Sequence, residues 1–224
     1  MDFSRAFDSL VHSKLLLKLS AYGIEYELLN WFESFLRGRT QRVLIDGQLS
    51  SPTIVKSGIG QGSILGPLFF VLFINDIADC IDVHTTCKLY ADDVKLYSSF
   101  DVHCDRNSLH TRSLVSIEQW ARDWQLKLNP IKSSVMHFGT RNPNSLYYID
   151  NTPLIGSESI RDLGLCYDSK LSFTCYIDSI VTKAYQRINL IFRAFHTKNI
   201  KNCLYYIHMS GLCLNIVQVS GPHT

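Results

Sequence analysis

The sequence has almost no net charge. Its 22 Lys and Arg stand against 20 Asp and Glu, a formal balance of +2, so the chain as a whole announces no nucleic-acid partner. Charged residues are sparse, at 19%, slightly under the usual share for a soluble domain. There is no CxxC pair. The seven cysteines are odd in number and scattered, which fits reduced thiols in an intracellular protein better than a disulfide framework. Long apolar runs are missing as well. The most apolar stretch, ILGPLFFVLFI (64–74), is too short to span a bilayer and holds Gly and Pro, so it predicts a buried helix from about Pro67 to Ile77. No basic segment precedes an apolar run at the start, so no signal peptide is expected. Internal repeats and low-complexity stretches are absent too.

What is present is core material. Hydrophobic residues make up 46% of the chain, which argues against disorder and supports one large domain, or one with a small second. Charge is unevenly placed. From Lys170 onward six basic residues (Lys170, Lys183, Arg187, Arg193, Lys198, Lys201) face one acid, Asp178, about five net positive charges. The clearest change of composition therefore lies near residue 170.

Periodicity and punctuation predict the elements. SKLLLKLSAYG reads as a helix stopped by Gly23, and YELLNWFESFLRGR as a second stopped at Gly38. QRVLIDGQLSSPTIVKSG reads as a hairpin turning at Asp46-Gly47. LHTRSLVSIEQWARDWQLKLN is amphipathic, with Leu114, Ile117, Ala121 and Trp124 on one face and an end at Asn129-Pro130. Its tryptophans read as core. SVMHFG, LYYID and RDLGLCYD read as short strands, with a turn at Asn151-Thr152. A longer helix is expected from Ser172 to Phe195, with an apolar stripe on one face and Lys183 and Arg187 on the other. Read without further context, those two cations are a solvated face.

The unusual stretch is LYADDVKLY (89–97). Apolar and polar residues alternate on both sides of Asp92-Asp93, which predicts a hairpin with the aspartates at its tip. Two adjacent carboxylates among apolar neighbours repel each other and are costly to desolvate. A plain type I′ turn is the structural reading, but such turns prefer Asp-Gly or Asn-Gly, and here a β-branched Val follows. A divalent cation explains the choice better. Magnesium takes a few carboxylates plus substrate phosphates, and two ions about 3.5–4 Å apart stabilise both the attacking and leaving oxygens of a phosphoryl transfer. Asp2 and Asp8, in DFSRAFD, are the upstream carboxylates that such a site can draw on. A separate Cys80, His84, Cys87 cluster lacks a second half at zinc-finger spacing.

YADD, the upstream DFSRAFD and the loop GIGQGSILGPLFF together resemble the reverse transcriptases of non-LTR retrotransposons of the jockey-like kind. LNPIKSSVMHFG and RDLGLCYDSKLSF resemble that family's next two motifs, in order. Five ordered motifs over roughly residues 2 to 195 are a specific signal. The resemblance implies an α+β fold: a partial polymerase palm over 1–169, an antiparallel sheet backed by helices, then a truncated basic helical thumb over 170–224. It implies RNA-directed DNA polymerase activity on an RNA template and DNA primer, with deoxynucleoside triphosphates and two Mg²⁺ ions, Mn²⁺ being an alternative. On that resemblance Asp2, Asp92 and Asp93 are the metal ligands. Phe7 is the ring under the incoming sugar, where it disfavours a 2′-hydroxyl. Gln61 and Gly62 contact nucleotide and template, and Lys132 protonates the leaving pyrophosphate. Leu163 and Gly164 grip the primer end, and Lys183 and Arg187 contact phosphates.

The chain departs from the family in three places. Gly60 stands where the family has Pro in GxPQGS, which is expected to loosen the loop. The segment LYYIHMSGLCLNIVQVSGPHT resembles the family's thumb end only faintly. The family's fingers lie before DFSRAFD, where this chain has only Met1. Asp2 is then expected on a frayed terminus, with weak or no primer extension by this chain alone. A catalytically inactive remnant that at most binds nucleic acid or a protein is the alternative reading.

Overall fold

The computed structural model describes residues 1–99, 106–140 and 142–194. It mixes helices with small two-stranded sheets. These residues divide into two compact units, 1–158 and from 159 onward. The predicted thumb end, including Phe195 and everything after it, lies outside the described residues.

The first unit opens with one helical turn, α1 (Ala6–Ser9), followed by α2 (His12–Ala21) and α3 (Tyr26–Leu36). Helix α2 ends as expected at Gly23. Gly23 N–H donates to the Ser20 carbonyl and Ile24 N–H to that of Leu19, and Gly23 sits at φ 84°. This is the Schellman arrangement, which closes the last carbonyls of the helix and favours glycine. Next come β1 (Thr40–Gln41), β2 (Leu44–Ile45), β3 (Gln48–Leu49) and β4 (Thr53–Ile54), with β2 pairing β3 and β1 pairing β4. Asp46 and Gly47 both have positive φ, as the expected I′ turn requires.

The apolar run folds as a helix, α4 (Leu65–Ile74), continued by a 3₁₀ stretch, Asn75–Cys80. Phe69, Phe70, Phe73, Ile74 and Ile77 are fully buried and form the centre of the core. Among the described residues no helix is long and apolar enough to cross a membrane.

The hairpin β5 (Thr86–Tyr90) and β6 (Asp93–Tyr97) corrects one detail of the expectation. Tyr90 pairs with Asp93, so the two loop residues are Ala91 and Asp92, and Asp93 is the first residue of the returning strand. Of the loop pair, only Ala91 has a positive φ, 50°, so the turn is not of type I′.

Helix α5 (Arg106–Trp124) buries Leu114, Ile117, Trp120 and Ala121. It stops earlier than expected. Gln125 takes a left-handed φ of 58°, and Leu126 and Leu128 go into the core on an extended segment. Burying those two leucines outweighs continuing the helix to Pro130. Strands β7 (Ser134–Val135), β8 (Tyr148–Ile149), β9 (Thr152–Pro153) and β10 (Ile155–Gly156) complete the unit. The β8–β9 turn is Asp150-Asn151, both at positive φ, one residue before the expected place.

The second unit holds the antiparallel hairpin β11 (Ser159–Asp162) and β12 (Leu165–Asp168), then α6 (Thr174–Ala194). Leu163 and Gly164 form its turn, at φ 46° and 88°.

Candidate active site

The first four residues are built into the fold, which corrects the expectation of a frayed start. The Met1 amine donates to the Val94 carbonyl at 2.6 Å, and Val94 N–H donates to the Met1 carbonyl at 3.1 Å. On the other side, Asn129 N–H donates to the Asp2 carbonyl at 2.9 Å and Ser4 N–H to that of Lys127 at 2.8 Å. Residues 1–4 therefore lie as a strand between β6 and the 127–129 segment, with Phe3 bridging to Leu128. Asp2 N–H also donates to Ser133 Oγ at 3.2 Å.

Register then decides which side chains face which way. Met1 pairs antiparallel with Val94, so Asp2 stands opposite Asp93. Phe3, Val94 and Leu128 are buried on one face. Period-two alternation sends Asp2, Asp93 and Asn129 to the other. Two of the three predicted metal ligands thus meet as a cross-strand pair, and Asp92 sits beside them in the loop.

A cation is already present at this edge. Lys132 Nζ lies 3.7 Å from an Asp2 carboxylate oxygen. The NPIKS segment puts it there: Ser133 Oγ donates to the Asn129 carbonyl at 2.8 Å, and Lys132 N–H donates to Asn129 Oδ1 at 3.3 Å. The ammonium thus pairs with one of the carboxylates expected to hold a divalent cation. Oxygen donors of this kind suit Mg²⁺, but among the described residues no group of three His, Cys, Asp or Glu side chains converges on one point. The donor chemistry fits a metal, while a ready-made three-carboxylate cage is absent among those residues. The Cys80, His84, Cys87 grouping forms no metal cluster either.

The glycine-rich loop is pinned to the turn after Asp2. Gly58 N–H donates to the Leu10 carbonyl at 2.8 Å, Ile59 N–H to that of Phe7 at 2.9 Å, and Gln61 Nε2 to Asp8 Oδ1 at 3.1 Å. His12 Nε2 lies 2.7 Å from the Gly58 carbonyl oxygen. Phe7 stacks on Phe70, centroids 4.3 Å apart, and stays half-buried. It is both core and surface. Gln61 and Gly62 are exposed, and Gly62 has φ 81°.

Sequence reasoning missed two cations here. Arg39 packs its guanidinium over Gly60, where an added Cβ would lie 3.0 Å from Nη2. A side chain at position 60 would have to displace it, so Gly60 is a packing residue. Lys18 is fully buried. It bonds the Phe73 carbonyl and Asp76 Oδ1, each at 2.5 Å, and lies over the rings of Phe73, Trp120 and Trp124 at 4.6, 4.6 and 3.9 Å. Burial pushes its ammonium below the usual lysine value, against the raising effect of Asp76. Nothing in LLLKLS distinguishes such a lysine from one that snorkels to solvent.

Leu163, Gly164, Lys183 and Arg187 lie in the second unit, all exposed. Lys183 and Arg187 are one turn apart on α6.

The family model described as reverse transcriptase (RNA-dependent DNA polymerase) matches residues 1–167. The chain is 28% identical over 187 residues to the RNA-directed DNA polymerase from mobile element jockey of Drosophila melanogaster, covering 80% of this chain and 20% of that protein. It is 24% identical over 241 residues to the probable RNA-directed DNA polymerase from transposon BS of the same organism, covering 99% and 26%. A retrovirus-related Pol polyprotein from type-1 retrotransposable element R2 of Popillia japonica is 25% identical over 189 residues, covering 75% and 30%. The chain thus spans less than a third of the length of these curated relatives. Ordered motifs, a carboxylate pair set in strand register and a family match over 167 residues agree: the chain belongs to the reverse transcriptase family.

Proposed function

We propose that this chain is the palm and the start of the thumb of an RNA-directed DNA polymerase, adding deoxynucleotides to a DNA primer on an RNA template. The observation that carries the reading is the register that sets Asp2 against Asp93, with Lys132 beside them. Residues 1–169 act as palm and residues from 170 as thumb.

Asp2, Asp92 and Asp93 would hold Mg²⁺, or Mn²⁺ in its place. Two such ions supply a sharpened nucleophile and charge stabilisation at the leaving oxygen. The protein's own share is positioning. Strand pairing on both sides fixes Asp2, and positioning is most of what phosphoryl transfer asks of a protein. Lys132, placed beside Asp2, would be the general acid that donates a proton to the leaving pyrophosphate oxygen. The Phe7 ring, braced by Phe70, blocks a ribose 2′-hydroxyl. The loop carrying Gln61 and Gly62, tied down through Asp8, presents backbone to nucleotide and template. Leu163 and Gly164 meet the primer end, and Lys183 and Arg187 meet phosphates.

A second reading is a remnant that binds nucleic acid without chemistry. The lack of a converged three-carboxylate group among the described residues favours it. One assay separates the two. Mg²⁺-dependent deoxynucleotide addition on an RNA template, lost in Asp93→Ala, supports the polymerase. Duplex binding without addition, indifferent to that substitution, supports the remnant.

A further inference from the structure

Cys166 and Cys175 meet in the second unit with their sulfurs 3.7 Å apart. We propose that this dithiol is a reversible oxidation site, closing to a disulfide that staples β12 to the first turn of α6 when a small-molecule disulfide is present. The inference is independent of the polymerase reading.

The loop between the cysteines is built to keep them together. Asp168 organises it. Its Oδ1 accepts from Lys170 N–H at 2.9 Å and from Ser172 N–H at 2.8 Å. Its own N–H donates to the Ser172 carbonyl at 3.2 Å, and its carbonyl accepts from Leu171 N–H at 2.9 Å. Ser172 Oγ in turn accepts from Thr174 N–H at 3.4 Å, at the start of α6. Tyr167 and Phe173 pack their rings across the same loop, centroids 6.3 Å apart. A pair so held needs only a small closing movement, roughly 1.7 Å, to reach the S–S bond length of about 2.05 Å.

The two thiols are not equivalent. Cys175 is exposed, and Cys166 is half-buried. Cys166 S–H donates to Cys175 Sγ. That thiol–thiol hydrogen bond, with burial second, pushes the Cys166 thiol up. Cys175 is therefore the sulfur that an external disulfide reaches first. Its thiol gives a proton to solvent and attacks one sulfur of oxidised glutathione, releasing one glutathione thiol and leaving a mixed disulfide. Cys166 then loses its proton, attacks Cys175 Sγ and releases the second glutathione thiol. The protein loses two hydrogens, and the oxidant gains them as two thiols. A thiol reductant reverses both steps.

The test is peptide mapping of the full chain after oxidised glutathione, with blocked thiols and tryptic digestion. Lys170 lies between the cysteines, so the staple appears as two joined peptides, 162–170 and 171–183. Expected is a joined pair that dominates in native protein, disappears with dithiothreitol, and gives way to mixed pairings when the oxidation is run in urea. In Cys166→Ser the glutathione should stay on Cys175, because the resolving thiol is gone. In Cys175→Ser, Cys166 should remain mostly reduced. Equal glutathione loading on both cysteines of the native wild type overturns the proposal. So does preferential pairing of either one with Cys80, Cys87, Cys104, Cys203 or Cys213. The wild-type map needs no variant, so a folding defect in a serine variant does not blunt it.

Discussion

At the scale of single residues, two backbone positions carry measurable strain or its avoidance. Gly58 has φ 85°, and a Cβ there would lie 2.7 Å from the Asp8 carbonyl oxygen. Gly58→Ala meets both a steric and a conformational penalty. We expect a loss of about 2–3 kcal/mol, read as a lower urea midpoint. Ala91 is the reverse case. It holds φ 50° without being glycine, which costs roughly 1 kcal/mol. Ala91→Gly should raise the unfolding free energy by up to about 1 kcal/mol, read as a higher urea midpoint and offset in part by the extra freedom of the unfolded chain. A fall in stability would show that the Ala91 methyl makes a contact worth more than the strain.

At the scale of elements, the Lys18 node ties α2 to the 3₁₀ turn and to α5. Asp76 Oδ1 takes bonds from both Lys18 and the Trp120 indole, the latter at 3.0 Å. Asp76→Ala leaves an ammonium buried without its carboxylate, and should cost about 2–3 kcal/mol. Lys18→Met on that background should recover much of the loss. The node also sets a pH dependence. Burial lowers the folded pKa of Lys18 below its ordinary 10.5. Between the two values the unfolded chain binds more protons, so stability rises with pH through that window. The burial cost is full below the folded value. Tyr22 and Cys80 are pushed up by burial, and their contributions slope the opposite way. The readout is therefore a difference. Wild type should gain on Lys18→Met as pH climbs towards 10.5, and a flat difference would refute the assignment.

Elements were legible in the sequence where punctuation was local. Gly23 and Asp46-Gly47 lie where spacing puts them, and the apolar run is a buried helix, though over Leu65–Ile74 where about Pro67 to Ile77 is the sequence expectation. Misplaced boundaries were those that tertiary burial decides. Pro130 is the evident helix breaker, yet α5 stops at Trp124, because Leu126 and Leu128 are worth more in the core. Pairing partners of the 1–4 strand leave no trace in local pattern, since β6 and residues 127–129 are far along the chain. The carboxylates were identifiable by motif. Their opposition across a strand pair was not.

At the scale of the whole molecule, the core belongs to one unit. Every buried hydrophobic residue among those described, from Phe3 to Leu154, falls within 1–158. A chain ending at Glu158 keeps every one of these residues and should therefore still unfold in one cooperative urea transition, and a broad, non-cooperative one would show that they do not make a self-sufficient core. The alternation along residues 1–4 has a different kind of consequence. Phe3 sinks into the core because Asp2 points out, and neither can move by one residue without exchanging the other's environment. The carboxylate's address is thus written in hydrophobic ink. A random-variant screen scored on retained folding should return Phe3 and Leu128 but spare Asp2 and Asp93, whereas one scored on the proposed polymerisation should return all four, and their clustering there would report shared strand phase, not shared chemistry.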